Sequence, residues 1–207
     1  MPLLGTKIDP FVRQITRLEG CCQRIEAQFV HGGLHVTDVL LIYTSSFVSA
    51  CARWEALLEE CLFTAVCGAR SKRPGNFRHA TFRSRARFRN VALYPNKDYF
   101  SFQSLKSTIE FASLFVNAGR PFSQISEANQ THLQQAMWIR NAIAHESDFA
   151  MRLFREKVPG VSSLPPNRRT PGHFLRFEFR TSPTQRRSEL YFAAMKSAAR
   201  ELENSWV

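Results

Sequence analysis

Apolar residues recur at three- and four-residue steps through most of this chain, which is the spacing of helix faces rather than of strands. Between Asp9 and Val30 the positions are Phe11, Ile15, Leu18, Cys22, Ile25 and Phe29, with Arg13, Arg17 and Arg24 between them. Pro10 behind Asp9 suits a first helical turn, and Gly32-Gly33 closes the segment. A second, longer helix is predicted from a cap at Thr37 or Asp38 to about Val66, with Gly68 beyond it. Its apolar positions are so dense from Leu40 to Phe47 that it should be the central helix of a bundle. Further helices are predicted over residues 104–117 (stopping near Gly119-Arg120-Pro121), 126–145, 147–157 and 189–204.

Two stretches break the period. Residues 69–96 hold Pro74-Gly75 and Pro95-Asn96 and read as an irregular insertion. Residues 161–172 are a loop rich in Ser and Pro, followed at 173–180 by alternation of apolar and charged residues (Phe174, Arg176, Phe177, Glu178, Phe179). That alternation predicts one short strand or an extended arm. The expectation is an all-α bundle in one domain spanning 1–207, with its core at about 37–157, a basic insertion at about 69–96 and a C-terminal extension at about 158–207.

Charge changes this picture more than composition does. Apolar residues make up 44% of the chain and charged ones 22%, near the globular average, so a packed core is expected. Lys and Arg number 28 against 17 acids, a net charge of +11, and 22 of the 28 are Arg. Such a surplus favours a polyanionic partner, nucleic acid before anionic lipid. Arg suits phosphate because its planar fork donates two parallel hydrogen bonds. Eight of the basic residues (Arg70, Lys72, Arg73, Arg78, Arg83, Arg85, Arg87, Arg89) fall in the insertion with no acid among them, interrupted by Phe77, Phe82 and Phe88. The plain reading is a solvated loop; the functional one is tracking of single-stranded RNA, with the Phe rings stacking on bases.

The beginning of the chain lacks the basic-then-apolar order of a signal peptide, and residues 39–67 carry Arg53, Glu55, Glu59 and Glu60, too many charges for a membrane span. The five cysteines include no Cys-x-x-Cys pair, and Gly32-Gly33 spoils His31 and His35 as a helical metal pair. No metal or cofactor is expected, and a cytoplasmic location is. Gly-rich phosphate loops, paired-carboxylate metal clusters and Ser-His-Asp arrangements do not stand out.

The candidate chemistry lies in Met137-Trp138-Ile139-Arg140-Asn141-Ala142-Ile143-Ala144-His145, an Arg-Asn-x-x-x-His at a helix end. Three other pairs have comparable spacing: Arg24 with His31, Arg73 with His79, and Arg168 with His173. Arg24 with His31 ends beside Gly32-Gly33, and the other two contain Pro74-Gly75 and Pro171-Gly172, so only Arg140 with His145 lies on a strongly helical stretch. At 100° per residue, Arg140 and His145 stand about 140° apart with Asn141 between them. Arg140 is expected to border the apolar face of Leu133, Ala136, Met137 and Ile143, and a bend after Ala144 would swing His145 into the same cleft. Glu55 on the second helix is either an ordinary ion-pair residue or a support for Arg140. The structural alternative for Arg140 and His145 themselves is bracing of a helix C-terminus, where cations oppose the dipole.

This motif, in an all-α chain, resembles the HEPN superfamily (higher eukaryotes and prokaryotes nucleotide-binding domains), whose catalytic members carry Arg-x(4–6)-His with a polar residue often after the Arg. The resemblance covers about residues 39–154 and implies a metal-independent endoribonuclease with Arg140, Asn141 and His145 in its site. It further implies a homodimer whose paired motif helices bring two histidines to one cleft. The small format is similar to toxin or phage-defence effectors restrained by an antitoxin or other inhibitory partner. The other readings are a non-catalytic RNA- or nucleotide-binding bundle and a protein-interaction module.

Overall fold

The computed structural model describes residues 5–67, 82–92, 104–145 and 147–206. They form an all-α bundle with one small hairpin. The helices are α1 (Gly5–Val30), α2 (Val36–Cys67), α3 (Arg85–Ala92), α4 (Leu105–Ser113), α5 (Glu127–His145), α6 (Asp148–Lys157), α7 (Pro171–Arg176) and α8 (Arg187–Trp206). Strands β1 (Glu178–Thr181) and β2 (Thr184–Arg186) pair antiparallel between α7 and α8.

Helix α2 is the centre, packed against α1, α3, α5, α7 and α8. Its buried positions, among them Phe47, Ala50, Cys51, Trp54, Leu58, Cys61 and Leu62, are not confined to one stripe, as its dense apolar run requires. Phe47 meets the rings of Tyr191 and Phe192 on α8 at 5.8 and 6.2 Å, and Trp54 meets Phe11 on α1 at 6.0 Å. Three of the five cysteines (Cys22, Cys51, Cys61) are buried free thiols, held protonated by their surroundings; burial pushes Cys22 up to about 11.

Several boundaries differ from those the sequence predicts, each for a local reason. Helix α1 begins five residues before Pro10, because the fully buried Ile8 extends its apolar face upstream. Gly32 ends α1 at φ 79°, a left-handed conformation that suits glycine. Helix α2 starts before Thr37: the Asp38 carboxylate reaches back to accept from the His35 N–H at 3.2 Å, the reciprocal half of a capping box. Helix α4 starts at the Ser104 cap as expected but stops at Ser113, and a 3-10 turn, Asn117–Gly119, follows.

Two segments read as irregular contain helices. Arg85–Ala92 is helical because Phe88 anchors it, fully buried against the rings of Phe63, Phe82 and Phe115. The expected strand at 173–180 is divided: Pro171 opens α7, which runs to Arg176, and only Glu178–Thr181 is extended. That strand is held in register by β2, with a bulge between Glu178 and Arg180.

Candidate functional site

The motif helix α5 is docked from its first turn. The Ser126 N–H donates to Glu201 Oε2 at 2.9 Å, and Asn129 Nδ2 donates to Ser197 Oγ and Glu201 Oε1 at 3.0 and 2.9 Å, tying α5 to α8. Leu133, Ala136, Met137, Ile139 and Ala142 are buried beneath it. At its far end, Ser147 caps α6 by accepting from the Ala150 N–H at 3.3 Å. Ser147→Ala should therefore cost about 1 kcal/mol, which lowers Tm by roughly 2–4 °C for a chain of this size; a thermal melt measures it.

Arg140 is half-buried and turned toward α2, between Met137 and Ile143 three residues to either side. It lies on the inward face rather than at its border. Its Nη1 donates to Asn141 Oδ1 at 3.0 Å. Its charge reaches two groups of α2, Glu55 and Cys51. Burial raises the Glu55 carboxyl above its ordinary value, and the Arg140 charge partly offsets this; the two make no direct ion pair. Burial raises the Cys51 thiol, Glu55 adds to the rise and Arg140 opposes it. Arg140 thus partly compensates the buried Glu55 carboxyl without a hydrogen bond to it.

His145 is exposed, the last residue of α5. The helix stays regular to that point, so the bend that would swing His145 toward Arg140 does not occur. The two remain about 140° apart and about 7.5 Å apart along the axis. Asn141 and His145, four residues apart, share a face. The structure therefore joins Arg140 to Asn141 and sets His145 on the next turn outward, without gathering all three into one cleft of a single chain.

The basic stretch divides in a comparable way. Lys72, Arg73, Arg78 and Phe77 lie outside the described residues. Arg85 donates to both Glu60 oxygens, Nη2 at 2.9 Å to Oε2, and Arg89 pairs with Glu59. Both guanidinium groups also stand over the Phe63 ring at 5.0 and 5.2 Å, so they brace α3 on α2. Phe88 is core and Phe82 packs on it, which removes both rings as platforms for bases. Arg83 and Arg87 are exposed and have no side-chain partner among the described residues. If single-stranded RNA is the polyanion that the sequence predicts as partner, an Arg83→Ala, Arg87→Ala double variant should flatten the salt dependence of its binding by about 1.4 in log–log slope, about 0.7 for each phosphate contact.

Two clefts were not foreseen. One, of about 520 Å³, runs beside α5 and is lined largely by apolar groups: Leu40 and Leu41 of α2, Ala142 and Ile143 of α5, Met151 and Pro171. Gly172 makes its wall tight, since a Cβ there would stand 3.3 Å from Leu40 Cβ. The other, of about 370 Å³, is basic and lies at α7 and the hairpin, with Arg168, His173, Arg176 and Arg186 in its wall. A signal for the second was present: residues 168–187 carry six arginines (168, 169, 176, 180, 186, 187) and one acid, Glu178. Pro171-Gly172 opens α7 rather than breaking the chain, so Arg168 of the preceding turn and His173 in the first turn of α7 line one pocket.

Among the described residues, no helix is long and apolar enough to cross a membrane, and no three His, Cys, Asp or Glu side chains stand close enough to hold a metal ion. Comparisons with family models, with curated proteins and with solved structures gave no match.

Proposed function

We propose that the chain is a metal-independent endoribonuclease of the HEPN type, acting as a homodimer and serving as a toxin or phage-defence effector. The observation that carries this reading is the Arg140–Asn141 hydrogen bond with the exposed His145 imidazole one turn further on. In the reaction the RNA 2′-oxygen attacks phosphorus, the P–O5′ bond breaks, and a 2′,3′-cyclic phosphate and a 5′-hydroxyl form. A base must take the 2′-proton, an acid must protonate the 5′-oxygen, and a cation must meet the charge on the phosphorane. Histidine ionises near neutrality and can take either proton role. Arg140 supplies the fixed positive charge, and Asn141 holds its guanidinium in place. One chain offers one such histidine. A second copy, laid so that the two α5 ends face each other, supplies the other, and the outward position of His145 suits that arrangement.

The other reading, a non-catalytic RNA-binding bundle with Arg140 as a structural cation, draws support from the inward turn of Arg140 toward Glu55. Incubation with RNA in EDTA separates the two. Cleavage by the natural chain that disappears in both Arg140→Ala and His145→Ala supports the nuclease. Binding without cleavage, or cleavage unaltered in His145→Ala, would reject it. An antitoxin or other restraining partner belongs to the same proposal and would appear as a protein that suppresses the cleavage.

A further inference from the structure

The pocket at α7 and the hairpin is built on a buried charge cluster. Glu26 of α1, 6% exposed, accepts from Arg176 Nε and Nη2 at 2.7 and 3.1 Å. Arg186 Nη2 stands 3.7 Å from Glu26 Oε2 and donates to Glu178 Oε1 at 2.7 Å. The Arg176 guanidinium also lies over the Phe29 ring at 4.4 Å, so its position is fixed from two sides. Arg168, exposed at the rim, has no side-chain partner among the described residues. Three guanidinium charges (Arg168, Arg176, Arg186) thus meet two carboxylates (Glu26, Glu178), which leaves one positive charge unmatched around the cavity. His173 Nδ1 is engaged with Thr170 Oγ1 at 2.9 Å, so Nε2 is the ring nitrogen left for a ligand. Phe177, 39% exposed, adds an apolar surface to the same wall.

We propose that this pocket binds the phosphate group of a nucleotide-sized phosphoester, with Arg168 and Arg176 on the phosphate, His173 beside it and Phe177 against the nucleoside. Arginine is the side chain of choice for phosphate because its donors match two oxygens at once. The volume of about 370 Å³ lies in the usual range of small-ligand sites, roughly 300–1,000 Å³, and inorganic phosphate alone would leave most of it empty. The site shares no residue with Arg140, Asn141 or His145 and does not depend on the ribonuclease reading.

His173 supplies the readout. Partial burial lowers its pKa, and the Arg168 and Arg176 charges lower it further. The other charged groups around α7 are Arg186 and Glu178 of the hairpin, Glu26 of α1 and Arg187 of α8, whose guanidinium lies over Phe174 at 5.5 Å; Tyr43 of α2, bonded to Glu26, stays protonated. A bound phosphate opposes the two cations and must raise the His173 pKa. The experiment follows the imidazole signal of His173 by NMR, assigned with His173→Gln, during titration with 5′-AMP and with inorganic phosphate. Both ligands should raise its pKa, and Arg168→Ala should weaken 5′-AMP by roughly tenfold or more. Phe177→Ala should weaken 5′-AMP and spare inorganic phosphate. A short 2′-O-methylated RNA that displaces 5′-AMP identifies an RNA chain as the source of the phosphate; failure to displace it identifies a free nucleotide, and either result keeps the site. A His173 signal unmoved by both small ligands, or 5′-AMP binding equal in Arg168→Ala, would overturn it. Arg168 is exposed and unpaired, so its removal leaves the fold intact.

Discussion

His145→Ala should lower RNA cleavage by about 10²–10⁴-fold, the usual worth of a positioned proton-transfer group, while RNA binding changes little. His145 is exposed at the end of α5 and makes no hydrogen bond among the described residues, so its removal costs the fold almost nothing. That separation gives the variant its value, because loss of activity with an unchanged melt leaves chemistry as the cause. Arg140→Ala is less clean. It should also abolish cleavage, but it strips Glu55 of the positive charge that offsets its burial, so a small loss of stability is expected beside the loss of rate. Measuring cleavage, binding and Tm together on both variants distinguishes a proton-transfer group from a structural cation.

Glu26→Ala carries the largest expected effect on stability, about 3–5 kcal/mol, because it leaves cations without their buried counter-charge. Burial alone would raise the Glu26 carboxyl, yet hydrogen bonds from Arg176 and the charges of Arg186 and Arg176 hold it below the ordinary glutamate value. A depressed carboxylate stabilises the fold fully above its unfolded pKa of about 4.3 and loses that contribution as pH falls through its lower folded value. Urea unfolding at neutral pH should therefore show the whole deficit, and the gap between natural and variant chains should close in acid. A deficit under about 1 kcal/mol, the level of an exposed pair, would mean that Glu26 does not hold α1, α7 and the hairpin together. Arg176 would also lose its anchor, so the basic pocket should bind phosphate less well in the same variant.

The elements that period alone located were those with a long apolar stripe: α1, α2, α5, α6 and α8 lie within a few residues of expectation. Short elements held by one anchor were not found. Nothing in the local period of residues 85–92 marks a helix, because a single buried phenylalanine and two ion pairs to Glu59 and Glu60 hold it. Those pairing partners lie about 25–30 residues upstream, on α2. Phe88 illustrates the same limit, since an aromatic residue among arginines reads as a base-stacking ring until its neighbours Phe63 and Phe115 are placed around it. At the motif, the helix and its register could be read directly, but two facts depended on tertiary structure. One is that Arg140 faces α2, and the other is that α5 does not bend before His145. The basic pocket needed the fold altogether, because Glu26 and Arg176 are separated by 150 residues.

In the proposed dimer two copies of His145, one from each protomer, share the proton transfers. The direct measurement mixes the natural chain with increasing amounts of His145→Ala, allows subunits to exchange, and follows cleavage per natural chain. If each cleft needs both histidines, a mixed dimer is inactive, and activity per natural chain falls in proportion to the fraction of natural protein in the mixture. Activity per natural chain that stays constant as the variant is added would rule out a shared cleft and assign the chemistry to one protomer alone.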